Sequence, residues 1–290
     1  MTPEVMAHEI MTGRSRYYDL LGRSVHCLEW GDEAAPAVIL WHGFARNAHD
    51  FEHLAAALAD RYRLIAPDTI GRGFSAWSPE PDAEYTVPFY ARQAVALLDM
   101  LKLQSVRWVG TSMGGLIGMV CAATALKERI THLVLNDVGP AIAPGAVQRI
   151  LSYAGTPPAF ANLPELEQYF RTIYAPFGIA SDAGWRRLAE TSARRLPDGR
   201  LTTHYDPEIA AVLGRQSAGA SGDAWPIYDQ IVARTLLLRG AVSDLLSDET
   251  AAEMTRRGPK ARRVDIPGIG HAPALDTAEQ VALIAQFLAE

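Results

Sequence analysis

The chain has 290 residues, 49% of them hydrophobic and 21% charged, the balance of a folded globular protein and not of a disordered one. Its 33 acidic and 27 basic side chains leave a net charge of −6, which argues against nucleic acid as a partner, since a negative protein gains nothing from a phosphate backbone. Two cysteines, Cys27 and Cys121, are too few for a disulfide framework, no apolar run reaches the length of a membrane span, and no cluster has metal-ligand spacing.

Residues 1–18 carry acids and lack the basic start and apolar centre of a secretory leader, so the cytoplasm is the expected compartment. The first paired segments are residues 17–20 and 25–30, with a turn at Leu21-Gly22-Arg23. Residues 37–41 form a short unbroken apolar run, as a strand buried on both faces requires. The pattern returns at 64–66, 106–109, 133–135 and 236–238, with helical stretches at 51–59, 89–101 and 113–126 between them. From about residue 141 to 224 the buried-strand rhythm stops. Helix-like pieces at 146–153, 165–174, 182–195 and 208–213 are punctuated there by Pro157-Pro158, Pro164, Pro176, Pro197 and Pro207, and by Gly178, Gly199 and Gly222.

A structureless loop of that length is foreign to a compact domain. Residues 141–224 are therefore read as a helical cap (lid) insertion, and residues 1–140 with 225–290 as the core domain. A helix at 248–257, a strand at 261–266 and a final helix at 277–289 complete the chain. The expected fold is α/β, a mostly parallel sheet of about eight strands carrying a helical cap.

The central chemical signal is Gly110-Thr111-Ser112-Met113-Gly114, placed directly after one predicted strand and before a helix. A nucleophile on such a sharp turn adopts strained backbone angles and needs small residues two positions away on each side, which Gly110 and Gly114 supply. Serine needs a base. Downstream lie three histidines: His132 starts a strand, His204 falls in the insertion, and His271 sits in Gly270-His271-Ala272-Pro273, a loop at the carboxyl end of a strand. His271 is the expected general base. Two acids could orient it, Asp244 after the strand at 236–238 and Asp137 after the strand at 133–135, and Asp244 is preferred. The oxyanion hole is expected from the backbone N–H groups of Met113 and of Phe44, in Trp41-His42-Gly43-Phe44. Asp68 and Asp248 read as structural, the first bonding loop N–H groups and the second capping a helix; His42 reads as a structural loop residue.

With these motifs in this order, together with Pro67-Asp68-Thr69-Ile70-Gly71-Arg72-Gly73-Phe74-Ser75 and Ser243-Asp244, the chain resembles the α/β-hydrolase superfamily over almost its whole length. The resemblance implies a serine hydrolase that cleaves a small to medium carboxylic ester through an acyl-enzyme, without metal or organic cofactor. The expected partner is a small ester-type molecule; no oligomeric state is read from the sequence. Alternatives on the same triad are carbon–carbon bond hydrolysis of a ring-cleavage diketone acid and hydrolysis of a thioester or lactone. The carbon–carbon reading would be favoured by a cationic cap residue such as Arg149 or Arg171 reaching the site, and is weakened by Phe44-Ala45-Arg46-Asn47 where those relatives carry a Gly-Pro-Gly-type stretch. A non-catalytic ligand-binding module has no need of a complete Ser, Asp and His set. Cap aromatics such as Tyr153, Phe160, Tyr169, Phe170, Tyr174, Phe177 and Trp185 either line the acyl pocket or form the cap's own core, and helical spacing favours the core.

Overall fold

A computed structural model describes residues 13–143, 145–217 and 223–290; most of the N-terminal stretch read above, and the Gly222 turn, lie outside them. The antiparallel hairpin β1 (Arg14–Leu20) and β2 (Arg23–Trp30) opens the fold. It is followed by β3 (Ala37–Trp41), α1 (Glu52–Leu58), β4 (Arg63–Pro67), a short α2 (Pro81–Glu84), α3 (Val87–Met100), β5 (Val106–Thr111), α4 (Met113–Ala123) and β6 (Ile130–Asn136). The next segment holds α5 (Ala146–Ala154), α6 (Leu163–Ile173), α7 (Asp182–Ser192), the ribbon β7 (Ala193–Arg195) and β8 (Leu201–Thr203), α8 (Glu208–Ser217) and α9 (Trp225–Tyr228). The chain ends with β9 (Arg234–Gly240), α10 (Asp248–Met254), β10 (Arg262–Ile266) and α11 (Ala278–Leu288).

Eight strands form one sheet in the order β1-β2-β4-β3-β5-β6-β9-β10, antiparallel only where β2 meets β1 and β4. The apolar runs are continuous because both faces are covered. Alternate residues point to opposite faces: Ile39, Trp41, Trp108 and Leu135 join α3 and α4 in one core, while Val38, Leu40, Val109 and Val134 join α1 and α11 in the other. Trp41 and Trp108 stack at 5.2 Å between ring centroids, next to the turn that carries Ser112. Among the described residues, no helix is long and apolar enough to cross a membrane.

Two local expectations are corrected. The helix expected at 182–195 ends at Ser192, where the backbone becomes extended at Ala193 and pairs with β8; Gly199, at φ 87°, closes that ribbon in a conformation that glycine adopts without strain. The cap of α10 is Ser247, whose Oγ accepts the Thr250 N–H, and Asp248 is the first helical residue, paired with Arg263. In the segment between β6 and β9, Leu166, Phe170, Tyr174, Trp185 and Ala189 make a separate small core.

Candidate active site

The parallel strands β5, β6, β9 and β10 release their loops at one edge of the sheet, and the polar residues of those loops converge there. Ser112 stands between β5 and α4 with φ 50° and ψ −114°, a costly conformation for a residue with a side chain. The surroundings enforce it. A Cβ on Gly114 would lie 1.9 Å from the Trp41 carbonyl oxygen, and one on Gly110 would lie 2.3 Å from that of Gly114. The Ser112 N–H donates to the Asn136 carbonyl at 2.9 Å, fastening the turn to β6. Asn136 in turn donates through Nδ2 to Thr111 Oγ1 and to the Pro273 carbonyl, which ties the loop after β10 to the same point.

Ser112 Oγ lies 2.9 Å from His271 Nε2, and His271 Nδ1 lies 2.8 Å from Asp137 Oδ2. Asp137, fully buried, also accepts the Gly240 N–H at 2.8 Å and the Ser243 hydroxyl at 2.5 Å. With Nδ1–H committed to the carboxylate, Nε2 is left as the acceptor for the serine proton, the tautomer that general-base chemistry requires.

The acid expected at Asp244 is therefore not the one beside the histidine. Asp244 is half-exposed and forms a two-point ion pair with Arg149 of α5. The β9 loop does reach the site, but it turns Ser243 inward and Asp244 outward. Asp137 immediately follows β6, the direct neighbour of β5, whereas Asp244 lies four residues past the end of β9. The β9 loop instead supplies two hydrogen bonds that hold Asp137, from Gly240 and Ser243. The available sequence signal was the carboxylate just beyond the apolar run at residues 133–135, one residue past the end of β6.

On the other side of Ser112, no backbone acceptor among the described residues takes the Phe44 N–H, and Met113 opens α4, where an N–H has no intrahelical partner. Both N–H groups are thus free for an oxyanion. His42 does more than fill the loop. Its Nε2 accepts the Thr69 N–H at 2.9 Å, so Nδ1–H donates to the Gly43 carbonyl at 2.7 Å. That carbonyl belongs to the same peptide unit as the Phe44 N–H, so the histidine sets its orientation. Asp68 bonds the loop N–H groups of Ala48 and Phe74, as expected, and His26 as well.

A model of the α/β hydrolase fold matches residues 36–278. The chain belongs to this family. It is 41% identical over 267 residues to a 3-hydroxybutyrate-oligomer hydrolase of Cupriavidus necator, an alignment spanning 89% of this chain and 90% of that one. A 2-(acetamidomethylene)succinate hydrolase of Mesorhizobium japonicum is 28% identical over 240 residues, 82% of each chain. The crystal structure of an α/β hydrolase from Novosphingobium aromaticivorans superposes with a TM-score of 0.87 at 34% identity, covering 97% of this chain and 99% of that one. The protein is an ester hydrolase of this family.

Two cavities meet at Ser112 of this α/β hydrolase. One is lined by His271, Arg46, His49, Glu52, Arg187 and Asp276, with Tyr153, Tyr174 and Phe177. The other is almost wholly apolar, with Met113, Leu116, Val138, Ile142, Val147, Leu213 and Leu245 in its walls. The aromatics between β6 and β9 serve both readings: Phe170 and Trp185 belong to the small core, Tyr174 belongs to that core and also lines the first cavity, and Tyr153 and Phe177 line the cavity while packing against the core. Neither Arg149 nor Arg171 lines either cavity; Arg171 pairs with Glu167 and Asp182. Arg187 does line the first cavity, but two of its guanidinium nitrogens are committed to Glu52. Although burial raises the Glu52 pKa, bonds from His49 and Arg187 outweigh it and hold the carboxyl at about 2.

The acid at residue 137 is testable by exchange. In this α/β hydrolase, Asp137→Asn is expected to lower kcat by roughly 10³- to 10⁴-fold through the wrong imidazole tautomer. Asp244→Asn, which removes only a surface ion pair, should leave kcat within about threefold. Steady-state kinetics on one ester decides between them, and a reversed result would return the acid to the β9 loop.

Burial also dictates a pH dependence of stability. Desolvation lowers the His42 pKa from its ordinary 6.5 to about 4, so the unfolded chain takes up a proton there before the folded one does. This contribution is complete above pH 6.5, is lost as pH falls toward 4, and amounts to about 3 kcal/mol at 1.36 kcal/mol per pH unit. Burial lowers His132 and His204 as well, adding in the same direction. Urea titrations between pH 7 and 4 should show this loss; a flat profile would mean that His42 is charged in the fold.

Proposed function

We propose that this hydrolase cleaves short linear oligoesters of 3-hydroxyacids, of the 3-hydroxybutyrate kind, by acyl transfer to Ser112. The observation that carries this reading is the hydrogen-bonded line from Ser112 through His271 to Asp137 at the junction of two unlike cavities. His271 takes the serine proton as Oγ attacks the ester carbonyl, and Asp137 stabilises the imidazolium. The oxyanion rests on the Phe44 and Met113 N–H groups. The imidazolium then protonates the departing alkoxide, and water activated by the same histidine frees the acid from Ser112.

The roles of the cavities follow from that proton. The leaving oxygen must reach His271 Nε2, so the alcohol half lies in the cavity that His271 lines, and the acyl half lies in the apolar one. For a 3-hydroxybutyrate oligomer, the alcohol fragment carries the free carboxylate and faces the polar walls, while the short acyl unit meets apolar side chains. The 41% identical relative, an oligomer hydrolase by name, supports this substrate class.

In this reading residues 141–224 act as a cap that excludes polymer surfaces and emulsified lipid and admits soluble oligomers. The reaction takes place in the cytoplasm; Cys27 and Cys121 are buried free thiols, the state a reducing compartment maintains.

The test is hydrolysis of the linear 3-hydroxybutyrate dimer and trimer beside a p-nitrophenyl ester series and emulsified triolein. Oligomers should be cleaved, and ester rates should rise about fourfold per acyl methylene, from ~0.8 kcal/mol each, until the apolar cavity is full. Ser112→Ala should reduce kcat by roughly 10⁴-fold or more and abolish fluorophosphonate labelling. Rapid triolein cleavage without oligomer cleavage would overturn the substrate assignment, and labelling that survives Ser112→Ala would overturn the nucleophile.

A further inference from the structure

Behind the oxyanion site lies a buried arginine that the triad chemistry leaves without a role. Arg72 is 1% exposed and occupies the centre of the turn Gly71-Arg72-Gly73, whose glycines have φ of 78° and 53°. A Cβ on Gly71 would meet the Tyr85 hydroxyl at 2.7 Å, and one on Gly73 would meet Asp68 Oδ2 at 2.0 Å. The Arg72 N–H donates to the Thr69 carbonyl, and the residue bridges to Tyr205. The turn is thereby fixed on both sides, with the arginine side chain buried beneath it.

The guanidinium donates through Nε to the Phe44 carbonyl at 2.9 Å, and through Nη1 to the Ile70 carbonyl at 2.9 Å and the Tyr90 hydroxyl at 2.7 Å. Its Nη2 points to Met113 Sδ at 3.7 Å. It also lies over the rings of Phe44, Tyr85 and Tyr90, 5.2 to 5.7 Å from their centroids. Two of these partners, Phe44 and Met113, are the residues whose N–H groups form the oxyanion site. None of the acceptors among the described residues is a carboxylate. The acid associated with this cluster, Asp206, is engaged by the Tyr85 hydroxyl at 2.7 Å. A buried cation without a paired anion is costly, and a fold that only needed filling here could use an apolar side chain.

We propose that Arg72 is a positioning residue of the oxyanion hole and a standing positive charge behind it, fixing Phe44 and Met113 and stabilising the negative oxygen that forms on Ser112. This inference rests on the acyl-transfer reading above. Because the charge is desolvated when the chain folds, it needs no reorganisation when the oxyanion appears, the condition under which electrostatic stabilisation is most effective. The anion it would otherwise pair with is the transient one. The same charge opposes protonation of His42, after the larger effect of burial, and so helps keep that histidine neutral as a donor to Gly43.

The experiment uses an alkyl trifluoromethyl ketone, which adds to Ser112 as a hemiketal whose oxygen ionises within the oxyanion site; ¹⁹F NMR over a pH series reads its pKa. Arg72→Met should raise that pKa by one unit or more, lower kcat on an ester by about 10- to 100-fold, and leave KM within about threefold. Arg72→Lys, which keeps the charge, should hold the hemiketal pKa within about half a unit of wild type, whereas the neutral Arg72→Gln should raise it like Met. In the unaltered enzyme, the Arg72 Nε–H resonance should shift with the same midpoint as the fluorine signal, a readout independent of whether any variant folds. If Arg72→Met and Arg72→Gln lower the melting temperature but leave the hemiketal pKa at the wild-type value, or if the Nε–H resonance does not move, Arg72 only fills space and the inference fails. If the wild-type enzyme forms no hemiketal on Ser112, it is the acyl-transfer reading that fails.

Discussion

A carboxylate sealed from water needs donors on every side, and Asp137 finds them on three separate stretches of chain: the end of β9 at Gly240, the loop beyond it at Ser243, and the loop after β10 at His271. That one group fixes the relative positions of the carboxyl ends of β6, β9 and β10. β6 also binds the Ser112 turn directly through the Asn136 carbonyl. The sheet order matters because it sets the carboxyl ends of β6, β9 and β10 side by side next to the Ser112 turn, so that Asp137 meets donors from both the β9 and the β10 loops. Remove the carboxylate, and Gly240, Ser243 and His271 lose the acceptor that holds them in register.

The oxyanion side follows the same logic with the signs reversed. In the proposed oxyanion hole, the Phe44 and Met113 N–H groups would be held without being satisfied, so the constraints act on neighbouring atoms. His42 bonds the Gly43 carbonyl, Arg72 bonds the Phe44 carbonyl, and the missing Cβ of Gly114 lets α4 approach the Trp41 carbonyl. The loop of His271 is tied as well to the segment after α6: the Gly270 and Ala274 N–H groups donate to the Pro176 and Phe177 carbonyls.

The eight-stranded sheet was legible in the sequence because strands covered on both faces leave unbroken apolar runs, as in Ala37–Trp41 and residues 236–238. Ser112 and His271 were legible because glycine spacing and loop position mark them. The acid was not. Asp137 and Asp244 both follow apolar runs, and no residue pattern encodes that the β9 loop turns Ser243 toward Asp137 and Asp244 toward Arg149. The three-residue strands β7 and β8 carry no periodic signal. The aromatics between β6 and β9 share helical spacing whether they also line the cavity, like Tyr153, or lie only in the small core, like Trp185. Arg72 lay in a recognised motif, but its inward direction depends on both neighbouring glycines and on tyrosines far along the chain.

The hydrogen bond from His271 Nδ1 to Asp137 can be observed directly, without turnover. A proton held between an imidazole and a buried carboxylate gives a far-downfield ¹H NMR signal, protected from exchange with solvent. That signal should be present in the wild-type enzyme and in Asp244→Asn, and absent in Asp137→Asn. A resonance that persists in Asp137→Asn and disappears in Asp244→Asn would contradict the assignment of Asp137 and the organisation of the site around it.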